Sequence, residues 1–187
     1  MKLQKIISIY IFTFILTACG ASALKDNNDN GPVKPYVKNP KYWQYKGEPV
    51  LLLGGTDNDN LFQNDWVKEH LDELASAGGN YIRNTMASRD SGDVYPYAVT
   101  GEGKYNLDEW SEIYWEKFAS LLKLADERDI IVQIEVWDRF DYSMERWDNH
   151  PFNPLNNVNY SVEDSILDVN YPEHPVADAQ PFFHTIP

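Results

Sequence analysis

The chain has 187 residues, of which 16 are Lys or Arg and 29 are Asp or Glu, so its formal net charge is −13. This acidic balance disfavours a nucleic-acid binder, because such proteins need basic residues to neutralise phosphates. Hydrophobic residues make up 43% of the chain and aromatic residues 14%, a composition that supports a buried core and disfavours wholesale disorder. The length corresponds to roughly one domain. The sequence contains one cysteine, which excludes an internal disulfide scaffold.

The first residues have the pattern of a secretory signal. Two lysines precede an apolar run at residues 6–18. A membrane-spanning helix needs roughly 20 apolar residues, and this shorter run has the length of a signal-peptide core. Residues 16–19, Leu-Thr-Ala-Cys, resemble the bacterial lipobox, in which cleavage precedes a cysteine that then carries lipid. We therefore expect a lipoprotein signal peptide at 1–18 and lipid attachment at Cys19. The alternatives are an ordinary secretory signal with a stray cysteine and a short buried helix.

Residues 19–40 are small, polar and rich in Asn and Asp, and they include Pro32 and Pro35. This composition is typical of a flexible tether between a lipid anchor and a folded domain. The residue after the cysteine is Gly20, not an acidic residue. By resemblance to lipoprotein sorting rules, this favours the outer membrane. The expected location is thus the bacterial cell envelope, with the membrane contacted only through the lipid.

From residue 41 to residue 187, predicted strands and helices alternate. Residues 49–55 form an apolar run ended by glycines, which predicts a strand buried on both faces. Asn64 is predicted to cap a helix that stops at Gly78, and residues 81–86 are predicted to form a second strand. Residues 88–106 are predicted to be a long loop.

A second predicted helix has apolar residues at helical spacing between Trp110 and Ala125, and a third strand follows at 130–137. The order β-α-β-α-β predicts an α/β fold with a parallel sheet. In the third strand, the alternation places Ile130, Val132, Ile134 and Val136 on one apolar face, suited to packing under a helix.

The opposite face of the third strand carries polar and aromatic side chains, Gln133, Glu135 and Trp137 among them. In the second strand, Arg83 shares a face with Tyr81 and lies near the carboxyl end. Inward polar residues at the carboxyl ends of strands are typical of a β/α barrel, whose active site lies there, and less so of an ordinary doubly wound sheet. We therefore expect a site at the ends of these strands.

Three segments, residues 54–57, 78–84 and 131–138, resemble the opening of a TIM-barrel glycoside hydrolase. The clan in question is the broad retaining one that includes cellulases and β-galactosidases. The loop at 150–154 is similar to one that covers the cleft in some bacterial lipoprotein members. The order and spacing of these segments carry the resemblance, which covers residues 41–187. It implies a carbohydrate substrate, no cofactor, and two catalytic carboxylates on the fourth and seventh strands.

Three strands and two helices are recognisable here, whereas a complete (β/α)8 barrel needs eight strands and typically about 250 residues. The expectation is therefore an incomplete barrel, either a truncated product or the amino-terminal fragment of a longer protein. No residue of this chain matches either catalytic position, so the chain alone is expected to be inactive. The alternative function is that of a lipid-anchored carbohydrate-binding protein that does not cut its glycan.

Six residues at the strand ends are expected to contact carbohydrate: Asp57, Arg83, Asn84, Glu135, Trp137 and Asp138. Arg83 is equally consistent with a structural ion pair and with orienting a nucleophile. Trp137 is suited to stacking on a sugar and to packing in a core, and Asp57 to binding a hydroxyl and to capping a turn. Glu135 and Asp138 are three residues apart on an extended segment, which points them to opposite faces and disfavours a catalytic pair.

Metal binding has little support in the sequence. The four histidines lack metal-ligand spacing, and the run Asp57-Asn58-Asp59-Asn60 lacks the glycine and the terminal glutamate of a calcium loop. We expect no metal site.

The lipid anchor gives the first testable prediction. Wild-type protein should partition into membrane or detergent fractions, and Cys19→Ala should not be processed at that site, because the thiol is the point of lipid attachment. Fractionation and gel mobility check this. Unchanged processing and partitioning in the variant would reject the anchor.

Overall fold

The structure is a computed structural model that describes residues 31–136, 139–143 and 145–170. The predicted signal peptide, Cys19 and the first part of the predicted tether lie outside these residues, as do Trp137 and Asp138. The chain divides into two compact units, with the boundary between Val50 and Leu51.

The first unit contains a three-stranded antiparallel sheet of strands β1 (Lys34–Pro35), β2 (Trp43–Tyr45) and β3 (Glu48–Val50), with β2 in the centre. Lys46 and Gly47 connect β2 to β3, and both have positive φ angles of 49° and 81°. Two central residues with positive φ are what a tight hairpin turn requires, because this backbone twist matches that of the strands. Strand β1 lies within the segment predicted to be a flexible tether, so regular structure begins before residue 41.

The second unit is built on the parallel pair β4 (Tyr81–Thr85) and β7 (Ile131–Glu135). The register places Tyr81 beside Ile131 and Thr85 beside Glu135. Two of the three predicted strands are therefore confirmed, and so is their parallel pairing. The described part of the chain is a mixed α/β structure.

Two helices cover one face of the parallel strands: α1 (Val67–Ser76) precedes β4, and α2 (Glu112–Asp126) lies between β4 and β7 in the chain. Their apolar residues pack with Ile82 of β4 in a core whose other buried members are Leu61, Phe62, Leu71, Tyr114, Leu121, Ala125 and Ile130. Phe62 makes edge-to-face contacts with Tyr114 and Phe118, at ring-centroid distances of 5.0 and 5.8 Å. Both helices lie where the sequence predicts them, except that Trp110, predicted to begin the second helix, belongs to a strand that ends there.

The beginning of α1 differs from the prediction. Residue Trp66 occupies the position before the helix and makes no side-chain cap. Asn64 instead ends a short 3₁₀ turn at Leu61–Gln63, and its side-chain amide donates to the Leu61 carbonyl at 3.4 Å. The prediction that Asn64 caps α1 is therefore wrong, because the 3₁₀ turn uses this residue. By contrast, Ser111 caps α2, since its side chain accepts from the Tyr114 N–H.

The predicted strand at 49–55 is divided. Its first residues belong to β3, and the rest lies beside β4 as an irregular extended segment with one parallel bridge, between Gly54 and Tyr81. The Asn80 side chain accepts from Leu53 N–H and donates to the Leu51 carbonyl, at 2.8 and 3.1 Å. Leu51 and Leu53 are 60% and 52% exposed. The prediction of one strand buried on both faces is therefore wrong, because a side chain replaces part of the regular ladder.

The predicted loop at 88–106 contains regular structure. Strand β5 (Tyr97–Val99) and strand β6 (Tyr105–Trp110) form an antiparallel hairpin, with an irregularity between Tyr97 and Ala98. This hairpin lies between β4 and α2 in the chain. Tyr97 and Tyr105, which fall in the predicted loop, are therefore held by strand pairing.

The segment after β7 has little regular structure. It contains a 3₁₀ turn (Arg139–Tyr142) and the one-turn helix α3 (Glu145–Asp148). Buried asparagine side chains satisfy its backbone: the Asn153 amide donates to Trp147 and Val169 carbonyls, and the Asn157 amide donates to Pro151 and Asn153 carbonyls, all at 3.0–3.2 Å. Hydrogen bonds from asparagine side chains to backbone carbonyls, and not strand pairing, therefore hold the conformation of this segment.

The apolar face predicted for the third strand is only partly covered. Ile130 is buried and Val132 packs against the core, whereas Ile134 and Val136 are 44% and 69% exposed. The prediction that all four residues pack under a helix is therefore wrong for the described residues, because α2 covers only the beginning of β7.

Gly54 gives the second prediction. A Cβ at this position would overlap the carbonyl oxygen of Tyr81, whereas a Cβ at Gly55 would meet nothing within 4 Å. We expect Gly54→Ala to lower the free energy of unfolding by about 1–3 kcal/mol, since it forces the extended segment away from β4. Gly55→Ala is the matched control. Chemical denaturation compares the two variants, and equal stabilities would show that the bridge is not tightly packed.

Candidate functional site

The face of β4 and β7 that the helices do not cover carries a connected set of polar side chains. The Tyr81 hydroxyl donates to the Gln133 side-chain oxygen, and the Gln133 amide donates to Glu135 Oε1 at 3.2 Å. Strand alternation puts these residues on the same side of the sheet as Arg83. The prediction of a polar face shared by the two strands is thus confirmed.

Arg83 lies at the centre of this face. Its Nε is 2.8 Å from Glu135 Oε1, and its terminal nitrogen is 3.1 Å from Asp59 Oδ1. The contact with Glu135 raises the pKa of the Arg83 guanidinium. The side chains of Arg83 and Glu135 are 43% and 32% exposed, so both groups are accessible to a ligand. Of the two roles left open for Arg83, the structural ion pair is present.

The ion pairs continue away from the strands. The second oxygen of Asp59 is 2.7 Å from a terminal nitrogen of Arg89, and Arg89 Nε is 3.0 Å from Asp141 Oδ1. Arg89 and Asp141 are much less exposed, at 15% and 14%. Burial raises the pKa of Asp141, and the adjoining Arg89 opposes that shift. A continuous series of charges, which we call the ion-pair chain, therefore runs from Glu135 through Arg83, Asp59 and Arg89 to Asp141.

Two of the six predicted contact residues, Arg83 and Glu135, lie together in the ion-pair chain. Asp57 lies apart from them: its side chain is 82% exposed, and its carboxylate is 3.9 Å from His70 Nδ1. Asn84 is fully buried on the opposite face of β4, where its side-chain oxygen accepts from the Phe62 N–H at 3.1 Å. The prediction that Asn84 contacts a ligand is therefore wrong, because alternation turns it towards the core.

Three members of the ion-pair chain, Asp59, Arg89 and Asp141, are not among the residues predicted to contact carbohydrate. In the sequence, Asp59 stands out only as part of the run 57–60, which resembles a calcium loop. Its backbone carbonyl accepts from the Thr85 N–H at 2.6 Å, which continues the contact of this segment with β4 and explains its position. No signal in the sequence indicated Arg89 or Asp141, since both come from irregular segments. Trp137 and Asp138, also predicted contacts, lie outside the described residues.

A cavity of about 250 Å³ lies between the β5–β6 hairpin and residues 141–152. Its walls are largely aromatic and include Tyr95, Tyr97, Trp110, Trp115, Tyr142 and Phe152. Tyr97 and Trp110 are stacked, with a ring-centroid distance of 5.5 Å and an interplanar angle of 17°. No pattern in the sequence predicts this aromatic cavity, because two separate segments of the chain form it.

His150 forms part of the cavity wall and is almost fully buried. Its ring stacks against Trp147 at 5.5 Å, and its Nδ1 accepts from the Phe152 N–H at 3.1 Å. Burial lowers the pKa of His150 to about 3. The imidazole is therefore neutral at physiological pH, and it holds the turn that places Phe152 in the wall.

Among the described residues, no group of three or more His, Cys, Asp or Glu side chains is arranged to hold a metal ion. None of the helices in this part of the chain combines the length and the apolar character needed to cross a membrane.

The structure is similar to part of a glycoside hydrolase fold. A proposed glycoside hydrolase from Bacteroides vulgatus ATCC 8482 matches with a TM-score of 0.51 and 16% identity over 68% of this chain. The match spans 27% of the Bacteroides protein, so this chain corresponds to about a quarter of its length. At this identity, the similarity concerns the fold alone.

Two further structures match less well. A glycoside hydrolase family 5 mannosidase from Rhizomucor miehei has a TM-score of 0.42 and 18% identity, over 74% of this chain and 34% of the other. A β-mannanase from the blue mussel Mytilus edulis has a TM-score of 0.38 and 16% identity, over 57% and 32%. No protein-family model and no curated protein matches the sequence.

The buried His150 gives the third prediction. Its folded pKa, about 3, lies below the ordinary value of about 6.5, so as the pH falls the unfolded chain binds this proton first. Stability should therefore fall as pH decreases from about 6.5 towards 3, by up to about 1.4 kcal/mol per pH unit from this group.

The variant His150→Asn removes the titrating group and keeps an acceptor for the Phe152 N–H. We expect the variant to be less stable at pH 7 but to have a shallower pH dependence between about pH 6.5 and 4. Urea denaturation at several pH values measures this, and the difference between the two proteins removes the contribution of the carboxylates. Parallel stability curves would contradict the assignment.

Proposed function

We propose that this chain is the amino-terminal part of a cell-envelope glycoside hydrolase with a (β/α)8 barrel, and that the polar face of β4 and β7 contacts the carbohydrate. The observation that carries the proposal is the placement of Arg83, Glu135 and Asp59 near the carboxyl ends of parallel strands, on the face opposite the helices. In β/α barrels that face is the interior, and the carboxyl ends carry the active site.

The uncovered surfaces of the sheet support a larger barrel. Within the described residues, β7 pairs with β4 alone, so its second edge has no strand beside it. Ile134 and Val136 are exposed on the helix-side face, where a following helix of a barrel would pack. The match to the Bacteroides protein covers 27% of that chain, which leaves room there for further strands. These features fit one segment of a closed barrel better than a complete sheet.

The chemistry of the polar face suits the binding of sugar hydroxyls. Guanidinium and carboxylate groups form charge-assisted hydrogen bonds, which are stronger than those between neutral groups. Both Glu135 and Asp59 are paired with Arg83, so the guanidinium holds their carboxylate oxygens in fixed positions on this face. Glycoside hydrolysis needs an acid and a nucleophile or base. We assign these roles to further strands of the barrel, which would follow β7.

The proposed location is the outer membrane, through a lipid on Cys19, with residues 1–18 removed as a signal peptide. The partners are then an oligo- or polysaccharide and the membrane itself. The same paired carboxylates favour a second candidate function, a lipid-anchored protein that binds carbohydrate without cutting it. An assay of glycoside hydrolysis on a longer protein that includes this chain would distinguish the two functions, because only the first predicts hydrolysis.

The fourth prediction tests the polar face. We expect Glu135→Gln and Arg83→Met each to weaken oligosaccharide binding at least tenfold, because a hydrogen bond to a charged group contributes about 1.5–3 kcal/mol. Glu109→Gln is the control, since it removes the same charge from an exposed strand position. Titration calorimetry of the full chain with a panel of neutral oligosaccharides measures the affinities.

Equal affinities in all variants would reject the polar face as the binding surface. The same protein should not turn over aryl glycosides. Turnover that Glu135→Gln abolishes would make Glu135 catalytic and would overturn the assignment of the catalytic roles to later strands.

A further inference from the structure

We propose that the aromatic cavity is a second carbohydrate site, which holds one neutral pyranose ring, such as a chain end or a single-sugar branch. The proposal rests on the proposed function, since it assumes that the protein binds carbohydrate. It goes beyond that function by placing a separate site outside the polar face and by defining what that site admits.

The cavity lies on the other side of the strands from the polar face. Met86 and Val136 line it, and they continue the alternation of Ile82 and Val132, whose side chains face the helices. Tyr114 also lines the cavity; it is a buried member of the core, and its hydroxyl donates to the Met86 carbonyl at 2.9 Å. The core therefore forms part of the cavity floor, and a ligand there would not occupy the surface around Arg83 and Glu135.

The size of the cavity limits the ligand. Its volume of about 250 Å³ lies below the roughly 300–1,000 Å³ that is typical of pockets for drug-sized molecules. One sugar ring is of a size to occupy this space, and the rest of a longer chain would lie outside it. The walls come from the hairpin on one side and from residues 141–152 on the other, and the asparagine bonds of the second segment fix its shape.

The aromatic wall gives the site its chemical preference. Trp110 is 63% exposed although it lies on a rigid support, since it stacks on Tyr97 and meets the edge of Trp115 at 5.3 Å. The face of an aromatic ring is electron-rich and attracts groups with a positive edge. The C–H groups on one face of a pyranose carry a partial positive charge, so that face is attracted to the aromatic ring. Because the indole is flat and already held in place, less conformational entropy is lost on binding.

The polar groups of the cavity suit hydroxyls. Asp141 lines the wall, and its carboxylate is held in place by Arg89 at the end of the ion-pair chain. A carboxylate accepts hydrogen bonds from sugar hydroxyls and repels acidic sugars. The net charge of the chain, −13, also disfavours the binding of acidic sugars. The ligand class is therefore a neutral sugar.

The fifth prediction concerns the binding of methyl pyranosides of glucose, mannose, galactose and xylose to the full chain. Saturation-transfer NMR should detect the ring protons of at least one of them. Trp110→Ala should raise its dissociation constant at least tenfold, because the stacking surface is lost. Trp110 is not a member of the buried core, so this variant is expected to fold, and circular dichroism checks that it does.

Two further variants make the test specific. Val136→Arg places a long side chain at an exposed position in the cavity wall and should also weaken binding at least tenfold without touching the core. Trp43→Ala removes a tryptophan of similar exposure from the amino-terminal sheet and should leave the dissociation constant unchanged.

Three results would overturn the proposal: the absence of binding by all four pyranosides, equal dissociation constants in wild type and Trp110→Ala, or binding of ferulic acid, an aromatic acid, with no binding of the sugars. Oligosaccharide binding that depends on Glu135 would still stand in each case, so the two proposals fail separately. Loss of both kinds of binding would reject the proposed function as well.

Discussion

The parallel register of β4 and β7 is the constraint on which the rest of the second unit depends. Because side chains alternate, one register places Ile82 and Val132 against the helices and Arg83, Gln133 and Glu135 on the other side. A shift of one residue would exchange these two sets, exposing the core residues and burying a guanidinium and a carboxylate. Burial of the apolar set therefore also fixes the position of the polar set. The strand register alone is therefore sufficient to bring the polar side chains of β4 and β7 together.

The two ends of the ion-pair chain differ in solvent exposure, and we expect them to differ in role for that reason. Exposed ion pairs contribute only about 0–1 kcal/mol, since water and salt screen them. The pair of Arg83 with Glu135 is of this kind, so replacing it by contacts with a ligand would cost little. Arg89 and Asp141 are mostly buried, and removing Arg89 would take away the guanidinium that lies 3.0 Å from the buried Asp141 carboxylate. The buried end of the chain thus anchors the structure, and the exposed end is the part suited to binding.

The sequence was informative where periodicity determines structure. The two helices, β4, β7 and the polar face of Arg83 and Glu135 all follow from alternation or from helical spacing. The errors occur where a side chain replaces the backbone pattern. Asn80 bonds to the segment beside β4, and Asn84 bonds to the Phe62 N–H within the core, where a polar residue is suitable because it satisfies a buried donor. Arg89, Asp141 and the aromatic cavity come from irregular segments, whose meeting no local pattern encodes.

The position of the cavity follows from the same parallel connectivity. Both segments that enclose it follow a parallel strand: the β5–β6 hairpin follows β4, and the segment that contributes Asp141, Tyr142, His150, Pro151 and Phe152 follows β7. Parallel neighbours end at the same edge of a sheet. Long segments after adjacent strands must therefore meet, and here they meet through aromatic side chains. Met86 and Val136, which line the cavity, lie on the helix side because they alternate with Thr85 and Glu135. Arg89 and Asp141 come from these same two segments, so one ion pair fixes the hairpin side to the other wall and links the cavity to the polar face through Asp59.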